Sequence, residues 1–155
     1  MSGPAGADVV RRLLEERRLQ SVPADRAAAE ALLEAAARHL DSALVVADSD
    51  PDGAYTMLYD AARKSLAALL QAQGLRATSR GGHVAVQLAV EAQFPDPPPR
   101  TAFRPFGRLR TTRNRVEYDP VSPVAGDDVR ADHAAATRMH AMAASLLSEM
   151  SPFPA

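Results

Sequence analysis

Apolar residues recur at three- and four-residue steps along most of this chain, the period of amphipathic helices. Val9, Val10, Leu13 and Leu14 line one side of a short helix over Asp8 to Gln20, which Ser21-Val22-Pro23 interrupts. From about Ala24 to Ala47, the positions Ala29, Leu32, Leu33, Ala36, Leu40, Ala43 and Leu44 predict a second, longer helix. Leu58, Ala62, Leu66, Leu69 and Leu70 continue the pattern in a third, ending near Gln73. A fourth, His83 to about Gln93, carries Val84, Leu88 and Ala89. A last one, from about Asp127 to Glu149, shows Val129, Ala136, Met139, Ala143, Leu146 and the following Met150 on one side.

The breaks between these stretches have their own chemistry. Asp50 can cap the third helix, Pro51 suits its first position, and Asp52 suits the positive end of its dipole. Gly74 supplies a stop, and Leu75 to Gly82 reads as a loop. Phe94 to Arg104 holds Pro95, Pro97, Pro98 and Pro99 and cannot continue a helix. A further helix is expected from about Pro105 to Tyr118, then a loop from Asp119 to Ala125. No segment alternates β-branched and polar residues, so no sheet is expected. Long helices joined by short turns imply an all-α, antiparallel up-down bundle of four to six helices. A single domain over residues 8–150 is expected, with disordered ends at 1–7 and 151–155.

Composition narrows the picture. The 155 residues suit one domain with one core. Aromatics are only 5% and Trp is absent, so Ala, Leu, Val and Met must build that core, which favours closely packed helices. The formal net charge of -1 excludes a broadly basic coat, and any nucleic-acid contact must be a local patch. With no cysteine, disulfides, thiolate metal sites and a Cys nucleophile are excluded. The first eight residues lack the apolar core of a signal peptide, and the longest apolar run, Ala43 to Ala47, is too short for a bilayer. A cytoplasmic protein without membrane contact is the expectation.

One stretch is more polar than a core needs. Arg108-Leu109-Arg110-Thr111-Thr112-Arg113-Asn114-Arg115-Val116-Glu117-Tyr118-Asp119-Pro120 sets arginines, an amide, a carboxylate and a phenol at helical spacing before a proline. Residues four apart share a helix face, so Arg113 neighbours Glu117 and Asn114 neighbours Tyr118. Arg100, Arg104, Arg108, Arg110, Arg113 and Arg115 meet one nearby acid, Glu117, and form a local basic strip suited to a phosphate backbone.

Together with the tract Tyr59-Asp60-Ala61-Ala62-Arg63-Lys64-Ser65-Leu66, then Leu69-Leu70, Gly74 and His83, this stretch resembles HEPN domains, the higher eukaryotes and prokaryotes nucleotide-binding superfamily. The family signature is an Arg, often followed by Asn, four to six residues before a His. Arg113 and Asn114 occupy the first two places, and Tyr118 stands where the His belongs. The resemblance spans roughly Ala24 to Met150. It implies a four- or five-helix bundle that dimerises through the motif helix into a composite cleft. It further implies a metal-independent ribonuclease of toxin–antitoxin or bacterial defence systems, partnered by a nucleotidyltransferase-type antitoxin, or a catalytically degenerate module that binds nucleotide or a partner protein. No cofactor is expected.

In that frame Arg113 stabilises a phosphorane, because guanidinium meets phosphate bidentately and stays charged. Asn114 positions it. Glu117 or Tyr118 moves the proton, although a phenol with an ordinary pKa of about 10 is a poor base at neutral pH. Arg108, Arg110, Arg115 and Arg63 are the candidate phosphate and RNA contacts. Asp132 falls on an apolar stripe and needs a partner, for which Arg113 or Arg110 is the candidate, and His133 beside it is a candidate supporting group. His83 is expected to cap or pack at the start of its helix. His39 and His140 have no evident polar company, and no His pair has metal-ligand spacing with carboxylates.

Overall fold

The computed structural model describes residues 4–119, 121 and 124–154. Helices dominate: α1 (Ala7–Glu15), α2 (Arg26–Val46), α3 (Pro51–Gln73), α4 (Gly82–Gln93), the short α5 (Pro99–Phe103), α6 (Phe106–Tyr118) and α7 (Gly126–Leu146), which ends in a 3-10 turn at Leu147–Glu149. The expected all-α bundle is present. The start and stop of α3 are those the sequence suggests, and α2 has a cap of the same kind. Asp25 accepts from the Ala28 N–H to cap α2, Asp50 accepts from the Gly53 N–H to cap α3, and Pro51 opens the first turn. Gly74 closes α3 in the left-handed conformation at φ 78°. A Cβ there would lie 2.7 Å from the Val22 carbonyl oxygen. Gly74→Ala is therefore expected to destabilise the bundle by more than about 1 kcal/mol, readable as a lower thermal midpoint.

Two expectations need correction. A small sheet exists: β1 (Leu19–Ser21) pairs antiparallel with β2 (Leu75–Ala77), Leu19 opposite Ala77 and Ser21 opposite Leu75. Three-residue strands leave no period to detect, and only Leu19 and Leu75 of the two are buried. The first helix accordingly ends at Glu15 rather than near Gln20. Of the chain's ends, Met1 to Gly3 and Ala155 lie outside the described residues, but Ala7 is buried and begins α1. In the tail, the Phe153 N–H donates to the Gln73 carbonyl, and Arg26 donates to the carbonyls of Leu147 and Met150.

The bundle is set out on seven-residue steps. On α2, Ala29, Ala36 and Ala43 are fully buried; on α3, Ala54, Ala61 and Ala68 are too. These two antiparallel helices make the most extensive contact in the molecule. Equal steps in opposite directions bring the two alanine rows level, and methyl-sized side chains let the backbones approach closely. A second seam joins α2 to α7. His133 Nε2 lies 2.9 Å from the Leu40 carbonyl oxygen, and His140 Nε2 lies 2.9 Å from that of Leu33. Two imidazoles one heptad apart thus meet two carbonyls one heptad apart. His133 is consequently a packing group between helices rather than a supporting group for Tyr118, and His140 has a partner that its sequence neighbours do not reveal.

Asp132 has different partners from those expected. It accepts from the Tyr55 hydroxyl at 2.7 Å and from the Arg108 guanidinium at 2.6 Å, which ties α7 to α3 and α6. Burial and the Asp132 carboxylate both push the Tyr55 phenol well above its ordinary pKa, so it stays a donor. Arg108 therefore braces the fold through Nη1.

Candidate functional site

Buried on most sides, α3 shows solvent only one stripe in its central and C-terminal part. Thr56, Asp60, Arg63, Ala67 and Gln71 are its partly exposed positions, spaced three or four apart, with Met57 and Lys64 beside them. The stripe forms the floor of a groove whose sides come from α2 on one hand and from α4 and β2 on the other. One end of this groove is a cavity of about 330 Å³ lined by His39, Thr56, Met57, Tyr59, Asp60, Arg63, His83 and Arg113. Four helices contribute: α2 gives His39, α3 the central residues, α4 His83, and α6 Arg113.

At its centre the Tyr59 hydroxyl lies 2.7 Å from His83 Nδ1. Tyr59 is 2% exposed, and its ring stacks on Phe106 at 5.5 Å between centroids. The Arg113 guanidinium sits over the same ring, 5.7 Å from its centroid, within cation–π range. Burial raises the Tyr59 phenol to about 12, against the opposing pull of Arg63, Arg110 and Arg113. It is therefore protonated at neutral pH, and a hydroxyl can either donate to or accept from the imidazole. His83 is shifted below the ordinary imidazole value, first by burial and then by the charges of Arg63 and Arg113. The ring is neutral at pH 7 and is surrounded by guanidinium groups.

Asp60 is the one carboxylate lining this cavity. It accepts from Arg63 at 2.6 Å, from Lys64, and faces His39 Nε2 at 3.5 Å. Burial pushes its pKa up, but the hydrogen bonds from Lys64 and Arg63 outweigh that and hold it below the usual carboxylate value. Arg113 pairs with Glu117 at 3.0 Å, as its spacing predicts. That pair leaves the Arg113 Nε buried without a hydrogen-bond partner, and the Arg110 Nε is in the same condition. Positive charge thus exceeds negative in a small, partly dry volume, and the arrangement suits an anion with several oxygens.

The predicted site residues divide into three groups. Arg113 and Arg63 meet in the cavity, and Arg110 acts on it through its charge on Tyr59 and His83. Asn114 is half-buried beside Arg113, while Glu117 holds that arginine from the outer side. Tyr118 and Arg115 are exposed at the end of α6, the tyrosine by 77%, and Arg108 and Asp132 belong to the brace described above. Spacing alone missed Tyr59 and His83. Tyr59 carries the family resemblance without an assigned role, His83 was expected only to cap or pack at the start of its helix, and His39 lacked any signal, since Asp60 reaches it only across the α2–α3 interface.

Among the described residues no group of three His, Asp or Glu side chains is placed to hold a metal ion. No helix among them is long and apolar enough to cross a membrane. No protein-family model matches the chain, and neither a curated protein nor a solved structure matches it.

Proposed function

We propose that this chain is a HEPN-like bundle that binds RNA through its phosphates in the Arg63–Arg113–His83 cavity and cleaves it without a metal ion. The observation that carries the reading is the convergence of guanidinium groups on a neutral imidazole, with a single carboxylate lining the same cavity. Arg113 and Arg63 neutralise the charge that develops on the non-bridging oxygens as the 2′-oxygen attacks phosphorus and the P–O5′ bond breaks. His83 replaces Tyr118 as the proton-carrying group. When Nδ1–H donates to the Tyr59 oxygen, Nε2 holds a lone pair that can accept the proton of a 2′-hydroxyl, while the departing 5′-oxygen takes a proton from water. Asn114 and Glu117 orient Arg113 in this proposal, and Arg110 and Arg115 extend the positive field along α6. A homodimer about α6 and capture by a nucleotidyltransferase-type antitoxin belong to the same proposal.

A second reading is nucleotide or partner binding without cleavage. The exposure of Tyr118 favours it, because the motif's own histidine position then supplies nothing to the cavity. Expression in a bacterial host separates the two. Growth arrest by the unsubstituted chain and none with Arg113→Ala is the expected result, together with RNA cleavage by purified protein that persists in chelator. Removing one such cation lowers cleavage by about 10²-fold or more. Equal growth of both strains, with RNA retained but intact, decides for binding alone.

A further inference from the structure

The groove on α3 does not stop at the cationic cavity. Arg63 also lines a second cavity, about 340 Å³, with Leu32, Ala67, Leu75, Ala77 and Val86 as its apolar walls and Gln71 and Arg76 at polar positions. Ala67 lies one helical turn beyond Arg63 on the same solvent-facing stripe. Leu32 from α2 and Val86 from α4 stand on opposite sides of it. The result is one trough with a positively charged half and an apolar half that share an arginine.

We infer that the apolar half is a pocket for a nucleobase attached to the phosphate held in the cationic half. This rests on the phosphate-binding reading above. Continuity through Arg63 places the second group of the ligand next to its anion. Opposed aliphatic side chains over a small-residue floor suit a flat ring, which in a chain this poor in aromatics must be sandwiched by Leu and Val instead of stacked. The Gln71 amide and the Arg76 Nη1, the nitrogen that Gln20 does not occupy, can meet polar base edges, a need that a plain hydrocarbon chain does not have.

Calorimetric titration of the full chain with inorganic phosphate, adenosine 5′-monophosphate and hexyl phosphate tests this. The nucleotide is expected to bind about tenfold or more tighter than phosphate, a gain that hexyl phosphate does not match. Ala67→Leu fills the apolar half and is expected to collapse the ratio of the two affinities, whereas Arg113→Ala lowers both. Phosphate binding with no gain for the nucleotide overturns the base pocket and leaves the phosphate site standing. Binding of neither removes both. An equal gain for hexyl phosphate, or a ratio that survives Ala67→Leu, also overturns the assignment. Should that variant not fold, magnetisation transfer from base protons to the Leu32 and Val86 methyls of the unsubstituted protein decides, and its absence counts against the pocket.

Discussion

Under the proposed ribonuclease reading, His83→Ala is expected to lower RNA cleavage by about 10²-fold or more, the usual contribution of a positioned proton carrier. Tyr118→Phe is expected to leave the rate within about twofold, since it removes only an exposed hydroxyl. The contrast follows from placement. His83 lines the cavity with Arg63 and Arg113 and is held by Tyr59, whose ring is fixed between Phe106 and the Arg113 guanidinium. A purified-protein assay on a short RNA, with folding checked by circular dichroism, measures both variants. A slow Tyr118→Phe beside an unaffected His83→Ala would return the chemistry to the end of α6. The pH dependence adds a second reading. Folding holds the His83 pKa below its ordinary value of 6.5. Its contribution to stability is therefore complete above that value and is lost as pH falls through the depressed pKa. A bound phosphate reverses the local field and favours the imidazolium, so phosphate affinity is expected to rise as pH drops toward 6, with proton uptake on binding.

The second large effect lies in the alanine seam. Ala36→Leu is expected to destabilise the protein by about 3 kcal/mol, at the upper end of overpacking costs. That corresponds to a fall of roughly 6–12 °C in thermal midpoint for a chain of this size. Leucine is nearly as good a helix former as alanine, so the loss reports packing and not propensity. Ala36 is fully buried, and Ala61 on α3 stands level with it by the heptad step. The three carbons that leucine adds must push α2 away from α3. His39 on α2 and Asp60 on α3 lie 3.5 Å apart across this interface, so phosphate affinity should fall together with stability. Val45→Ala, at a position 82% exposed on the same helix, is the control and should change stability by less than about 0.5 kcal/mol. An Ala36→Leu variant as stable as the parent would show that the seam has room to spare.

Much of the bundle was legible in the chain because its signals are local. Asp50, Pro51 and Gly74 act within one helical turn of themselves, and their roles at the helix ends follow from backbone chemistry alone. The sheet was not legible, since its stability comes from pairing Leu19 with Ala77 across two intervening helices. The site was half legible. Arg113 and Glu117 pair at helical spacing on one element, but Tyr59 and His83 come from different helices, and nothing in either neighbourhood announces their hydrogen bond. Asp132 shows the limit most plainly. Its need for a partner was readable from the apolar stripe, but the choice of Tyr55 and Arg108 depends on how α3 and α6 cross α7.

The matched heptad rulers of α2 have a mechanical outcome. A helix keyed to one neighbour by alanines and to another by imidazole–carbonyl bonds cannot slip by a fraction of a turn, because both keys would have to disengage at once. Breathing at the cationic end of the trough is thereby left to α6, which buries only Phe106 and Leu109 of its own residues while carrying Arg113. Amide protons of α6 should exchange well ahead of those in α2 and α3, making the arginine-bearing wall the door and the alanine seam the frame.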